Sequence, residues 1–143
     1  MGVLTYLVAA NESEAPAVGG SSVPSRTWSG IDAKGIDHVK LAKMMSILLG
    51  QPYQNRFVAE FVQLHEQSED GPWVFKVPPR LVTALAALDE HRVTQVAMEW
   101  SQIQEFALDR WQASAVDEVL KGISSLAKKA ASQNMSILMW MSL

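Results

Sequence analysis

Cysteine is absent from the 143-residue chain. This excludes disulfides, thiolate zinc sites, cysteine-held iron–sulfur clusters and thiol nucleophiles. It agrees with a reducing compartment. Clustered cations are missing too. The 12 Lys and Arg face 15 Asp and Glu, and the densest basic pair is Lys128-Lys129. Phosphate binding without sequence preference needs a basic patch, so nucleic acid is not an expected partner. No apolar run nears the ~20 residues of a membrane span. Met1–Ala10 has no basic start of the secretory kind. Together these absences predict a cytoplasmic protein with no membrane partner.

What is present is a core. Hydrophobic residues make up 48% of the chain, and its 15.7 kDa suits one domain. At this size about two-thirds of the unfolded surface can be buried. We therefore expect a single α+β domain over 1–143, with a small mixed sheet of about four strands and about four helices.

Local signals place most elements. Val3 to Ala9 is apolar and rich in strand formers, so it reads as a buried strand. Residues 11–26 hold Pro16, Gly19, Gly20, Pro24 and several serines without an apolar period, and read as a flexible loop. Asp37 is placed to cap a helix with Leu41, Met44, Met45 and Leu48 on one face; Gly50 and Pro52 stop it. Lys40 and Lys43 lie off that face. Arg56–Glu66 fits a helix or an alternating strand. A hairpin with Trp73–Val77 favours the strand. Pro79 opens a helical region. Asp89 caps a helix reaching Ala107. Ser114 with Asp117 resembles a capping box for the helix behind it, whose Val116, Leu120, Ile123 and Ala127 stripe is the cleanest period in the chain. Met135–Leu143 reads as a last strand beside the first.

Chemistry is sparse. His38, His65 and His91 form no metal-binding pair, and no serine sits in a nucleophile elbow. Gly19-Gly20-Ser21-Ser22 lacks the lysine and helix of a phosphate loop. Asp32 and Asp37 flank a glycine-containing turn, and Glu99, Glu105 and Asp109 lie further on; a general acid among them would need burial in a cleft. No catalytic residue, metal ligand or cofactor is expected. Trp73, Trp100 and Trp140 fall inside elements and read as core. Trp28 and Trp111 fall in links, where tryptophan serves as an edge plug or a partner anchor. The Met135, Met139 and Met141 series reads as core filling or as an adaptable sheet face.

The order of elements resembles the YfbM-like family of uncharacterised bacterial proteins. The resemblance rests on an opening strand with Tyr6, the Trp28–His38 stretch, Leu48-Leu49-Gly50, and Leu126–Ala131 before an apolar terminal strand. Gln51 to Pro79 departs from it. The resemblance implies an α+β domain of bacterial origin and adds no catalytic residue.

The leading expectation is a small protein-binding or adaptor protein, in one form an immunity-type partner of a toxin. The alternative is a small-molecule binder or enzyme with a pocket near 28–38. Trp28, Asp32, Asp37, His38 and Trp111 are the candidate binding residues. A homodimer through a Met/Trp sheet face is the third expectation.

Overall fold

The computed structural model describes residues 3–143. Five strands form one antiparallel sheet: β1 (Leu4–Ala10), β2 (Gly30–Asp32), β3 (Val62–Glu66), β4 (Trp73–Lys76) and β5 (Ser136–Ser142), in the order β2-β1-β5-β4-β3. The helices are α1 (Ala15–Gly19), α2 (His38–Leu49), α3 (Pro79–Ala86), α4 (Glu90–Trp100), α5 (Gln104–Leu108) and α6 (Ala113–Ser132). The domain is α+β, as expected. The sheet has five strands, not four, and is not mixed. Periodicity assigns a side chain to a face but says nothing of strand direction.

Alternation along β1 and β5 builds two cores. Leu7, Ala9, Ile137, Met139 and Met141 point into the larger one, under α2 to α6. Val8, Ala10, Leu138 and Trp140 point the other way, toward α1 and Trp28. β5 pairs with β1 over its full length, Leu7 opposite Met139. The methionine face is therefore buried, with Met139 fully enclosed, and Trp140 is buried on the opposite face. The Met/Trp sheet face expected for a homodimer is covered by the chain itself.

Residues 11–26, expected as a flexible loop, carry short helical segments. Two 3-10 turns, Glu12–Glu14 and Pro24–Arg26, flank α1. Ala15 and Val18 anchor α1 in the second core. The Glu14 carboxylate accepts from the Asn11 backbone at 3.0 Å and from the Trp28 indole at 2.9 Å. Both bonds favour the charged form and hold the Glu14 carboxyl below its ordinary range.

Other boundaries shift for packing reasons. Asn55–Glu60 forms a 3-10 turn that buries Phe57, and only Val62–Glu66 is strand. The hairpin with β4 stands. The helix expected from Asp89 to Ala107 breaks after Trp100, where α4 ends, and resumes as α5. Buried Trp100 donates its indole N–H to the Lys40 carbonyl at 2.8 Å. Gln112 stands at the start of α6 without a side-chain cap; Asp117 instead pairs with Lys121 at 2.8 Å. Asp37 and Asp89 cap α2 and α4 through Lys40 N and Arg92 N, as expected. Trp73 is only half-buried, its indole bonded to Glu66.

Candidate functional site

β2 is a terminal strand of the sheet, with β1 on one side only. It follows Trp28 and passes Gly30, where a Cβ would stand 2.5 Å from the Leu7 carbonyl oxygen. Only glycine lets the chain come so close to β1 there. α6 runs beside β2 on the helical side. Ile31 and Gly122 meet between them, with a Cβ at Gly122 only 3.5 Å from the Ile31 side chain, an ordinary contact.

Three clefts follow this junction. The first, 420 Å³, holds Trp28, Ile31, Gly122 and Lys129. The second, 360 Å³, holds Ile31, Asp32, Lys34, Trp111, Glu118 and Gly122. The third, 660 Å³, holds Lys34, Asp37, Asp109 and Trp111. Each shares residues with the next: Ile31 and Gly122 stand between the first two, Lys34 and Trp111 between the second and third. Trp28, Asp32, Asp37 and Trp111 thus line a row of adjoining clefts, a segmented groove crossed by the Ile31–Gly122 contact. His38 does not. It stands edge-on to Phe61 and Phe75, at 5.4 and 4.3 Å between ring centroids. Its burial there lowers its pKa, against the opposing pull of Asp37.

Trp111 packs against two neighbours. Its ring packs at 5.0 Å from Phe106, and a Cβ on Gly35 would lie 3.1 Å from it. Gly35 has φ +88°, a conformation other residues rarely adopt. Next to this ring lies Lys40, only 1% exposed. Its ammonium donates to the Gly35 carbonyl at 2.6 Å and to the Asp109 carboxylate. It also lies 5.5 Å from the Phe106 ring and 5.8 Å from the Trp111 ring. The sequence places Lys40 on a polar flank. The α5–α6 link folds over that flank and buries it. Lys43, one turn on, donates to Glu105 at 2.6 Å and holds that carboxyl below its ordinary range.

These bonds limit the chemistry. Asp37 is engaged as a helix cap, Asp32 accepts from Lys34 N at 3.0 Å, and Asp109 holds Lys40. Glu118 is exposed and enters no ion pair of the described residues. Among the described residues no group of three or more His, Asp or Glu is arranged to hold a metal ion, and no helix is long and apolar enough to cross a membrane. A larger cleft of 820 Å³ lies between α6 and the start of α4. Three of its polar side chains are engaged: Lys128 donates to the Leu88 carbonyl, Ser124 to that of Leu85, and Lys121 to Asp117; Glu90 and Ser125 line it as well.

Gly122 and Glu118 escaped the sequence reading. The available signal was a glycine in the middle of a strong helical stripe. No family model, curated protein or solved structure matches the chain.

Proposed function

We propose that the chain is a protein-binding module whose partner lies in the groove between β2 and α6. One observation carries this reading: three adjoining clefts follow the β2–α6 junction, with Trp28 lining the first and Trp111 the other two. A long groove on a terminal strand suits a segment of polypeptide, because an extended chain can add to the strand and seat alternate side chains. Trp28 and Trp111 are the anchors, since large aromatics carry disproportionate binding energy at interfaces. An immunity-type partner of a toxin is one form of this role. The resemblance to the YfbM-like family belongs to the same proposal and adds no activity to it.

The test fills the groove without disturbing the fold. Gly122→Gln places a neutral side chain beside Ile31, where its Cβ would stand at an ordinary 3.5 Å contact, on an established helix. Tagged wild-type protein is expected to retain a stoichiometric protein partner from the source cell, and the variant to lose it with unchanged circular dichroism. A partner held equally by both proteins overturns the proposal. A second reading draws on the 660 Å³ cleft at Asp37, Asp109 and Trp111. A small molecule retained by wild-type protein in native mass spectrometry, and released by Trp111→Ala, would support that reading instead.

A further inference from the structure

Resting on the groove assignment, we infer that the occupant is an extended polypeptide segment with a cationic side chain at the Trp111 end and a carboxylate four residues away, on the same face of the segment.

The two ends of the groove differ in charge. Around Trp111 the two clefts present Asp32, Asp37, Asp109 and Glu118. Against these four carboxylates stand Lys34 on the surface and Lys40 below, which neutralises Asp109. Two negative charges are left over beside a tryptophan ring that lines both clefts. An arginine or lysine seated there gains the ring face and the carboxylates together. A neutral side chain gains the ring face without the charge pairing, and an acidic one is repelled by the carboxylates. Glu118 is the free carboxylate, since the other three already accept hydrogen bonds or a salt bridge. At the other end, beside Trp28, the lining holds Lys129, Ser25, Ser29 and Ser125, with no acid.

The separation sets the spacing in the partner. Glu118 and Lys129 are eleven positions apart on α6. At a rise of ~1.5 Å per helical residue this spans ~16 Å; an extended chain at ~3.3 Å per residue sets same-face side chains four apart at ~13 Å, and long charged side chains reach the rest. β2 lies alongside as a terminal strand, and outward-facing backbone groups on such a strand can pair with the segment. Charge complementarity therefore selects the partner's side chains, while the strand supplies affinity for any extended backbone.

The probe is a blocked five-residue peptide, arginine first and glutamate last, with threonine, valine and threonine between, so that both charged side chains share one face. Two comparison peptides carry glutamine in place of the arginine or of the glutamate. Binding to the full chain is read from NMR shifts of the Trp111 indole. The charged peptide is expected to bind about tenfold more tightly than the one lacking arginine. Glu118→Lys is expected to weaken the arginine peptide about fivefold while leaving the peptide without arginine unchanged. Lys129→Glu should do the same for the glutamate end. Equal affinity for all three peptides, or no Trp111 shift at millimolar peptide, overturns the inference. If Gly122→Gln still abolishes partner capture in that case, the groove reading survives; if capture ignores that variant, the groove reading itself fails.

Discussion

Asp109→Ala and Lys40→Met remove opposite halves of one ion pair, and the structure makes their costs unequal. Lys40 is 1% exposed, whereas the Asp109 side chain is 54% exposed. Asp109→Ala leaves a buried ammonium with the Gly35 carbonyl and two aromatic faces as its surroundings. Removing one partner of a buried pair costs ~3–5 kcal/mol; the half-open position of Asp109 lets water replace part of the contact, so ~2–3 kcal/mol is expected. Lys40→Met keeps the apolar stem and removes the buried charge altogether. Asp109 then turns to water. The lost charge-assisted hydrogen bonds, ~1.5–3 kcal/mol, are offset by the ammonium's desolvation, so the net cost falls to about 1 kcal/mol. Urea unfolding followed by circular dichroism measures both. With the slope m unchanged, Asp109→Ala should lower the midpoint two to three times as far as Lys40→Met. In a thermal melt the difference is roughly 3 °C per kcal/mol. A Lys40→Met variant less stable than Asp109→Ala would refute the argument. It would show that the pair stabilises the fold by more than burying the ammonium costs.

Other outcomes follow from single sites. Gly122→Ala should raise stability by about 0.5–1 kcal/mol, because its Cβ meets Ile31 at an ordinary 3.5 Å and helix propensity improves; a lower melting temperature would count against open space there. Gly30→Ala should destabilise by about 2 kcal/mol or more, since its Cβ would stand 2.5 Å from the Leu7 carbonyl oxygen, and an unfolding curve identical to wild type would contradict that geometry. His38 has a folded pKa below the ordinary 6.5. The unfolded chain therefore takes up its proton first, and stability falls as pH drops from about 6.5 toward the folded value. His38→Phe should flatten that part of the stability–pH curve, and an unchanged slope would remove His38 as its cause. Glu105 runs the opposite way, its folded pKa being below 4.5. Its contribution holds above pH 4.5 and fades as pH falls through the lowered value, so Lys43→Met should weaken the acid dependence measured by urea titration at successive pH values.

The legible parts of the fold were those set by neighbours in sequence. Asp37 and Asp89 cap helices with their own side chains, Gly50 takes the left-handed φ of 65°, and Pro79 opens α3. The α6 stripe and the two long strands carry their own periods. The parts that were missed depend on distant partners. α1 contributes just Ala15 and Val18 to a core that Trp140 and Trp28 share, so nothing within 11–26 announces a helix. β2 is three residues long, too short for a period, and exists because β1 pairs with it. Lys40 reads as a surface lysine on α2. Its burial comes from Asp109, 69 residues away, and from the aromatic pair beside it. Of the candidate site, both link tryptophans and both turn aspartates were reachable by residue type and position. That His38 turns to Phe61 and Phe75 depends on the β3–β4 hairpin, which no residue near His38 encodes.

Two departures from local rules border the groove, Gly122 at its middle and Lys40 beneath its Trp111 end. A glycine in the middle of a 20-residue helix costs about 1 kcal/mol relative to alanine. Internal contacts do not demand it, because a Cβ there would fit. A buried ammonium is costlier to keep than an apolar side chain of the same length, yet Lys40 occupies that position and holds the link that carries Trp111. Natural sequences tolerate such local losses where a site needs them. If the groove is such a site, Gly122→Gln should raise the melting temperature and lose the partner in the same protein. Lys40→Met should hold the fold while loosening Trp111, seen as broadening of its indole signal and as weaker binding of the arginine peptide. A Lys40→Met protein that keeps both the indole signal and the affinity would assign the buried lysine to folding alone.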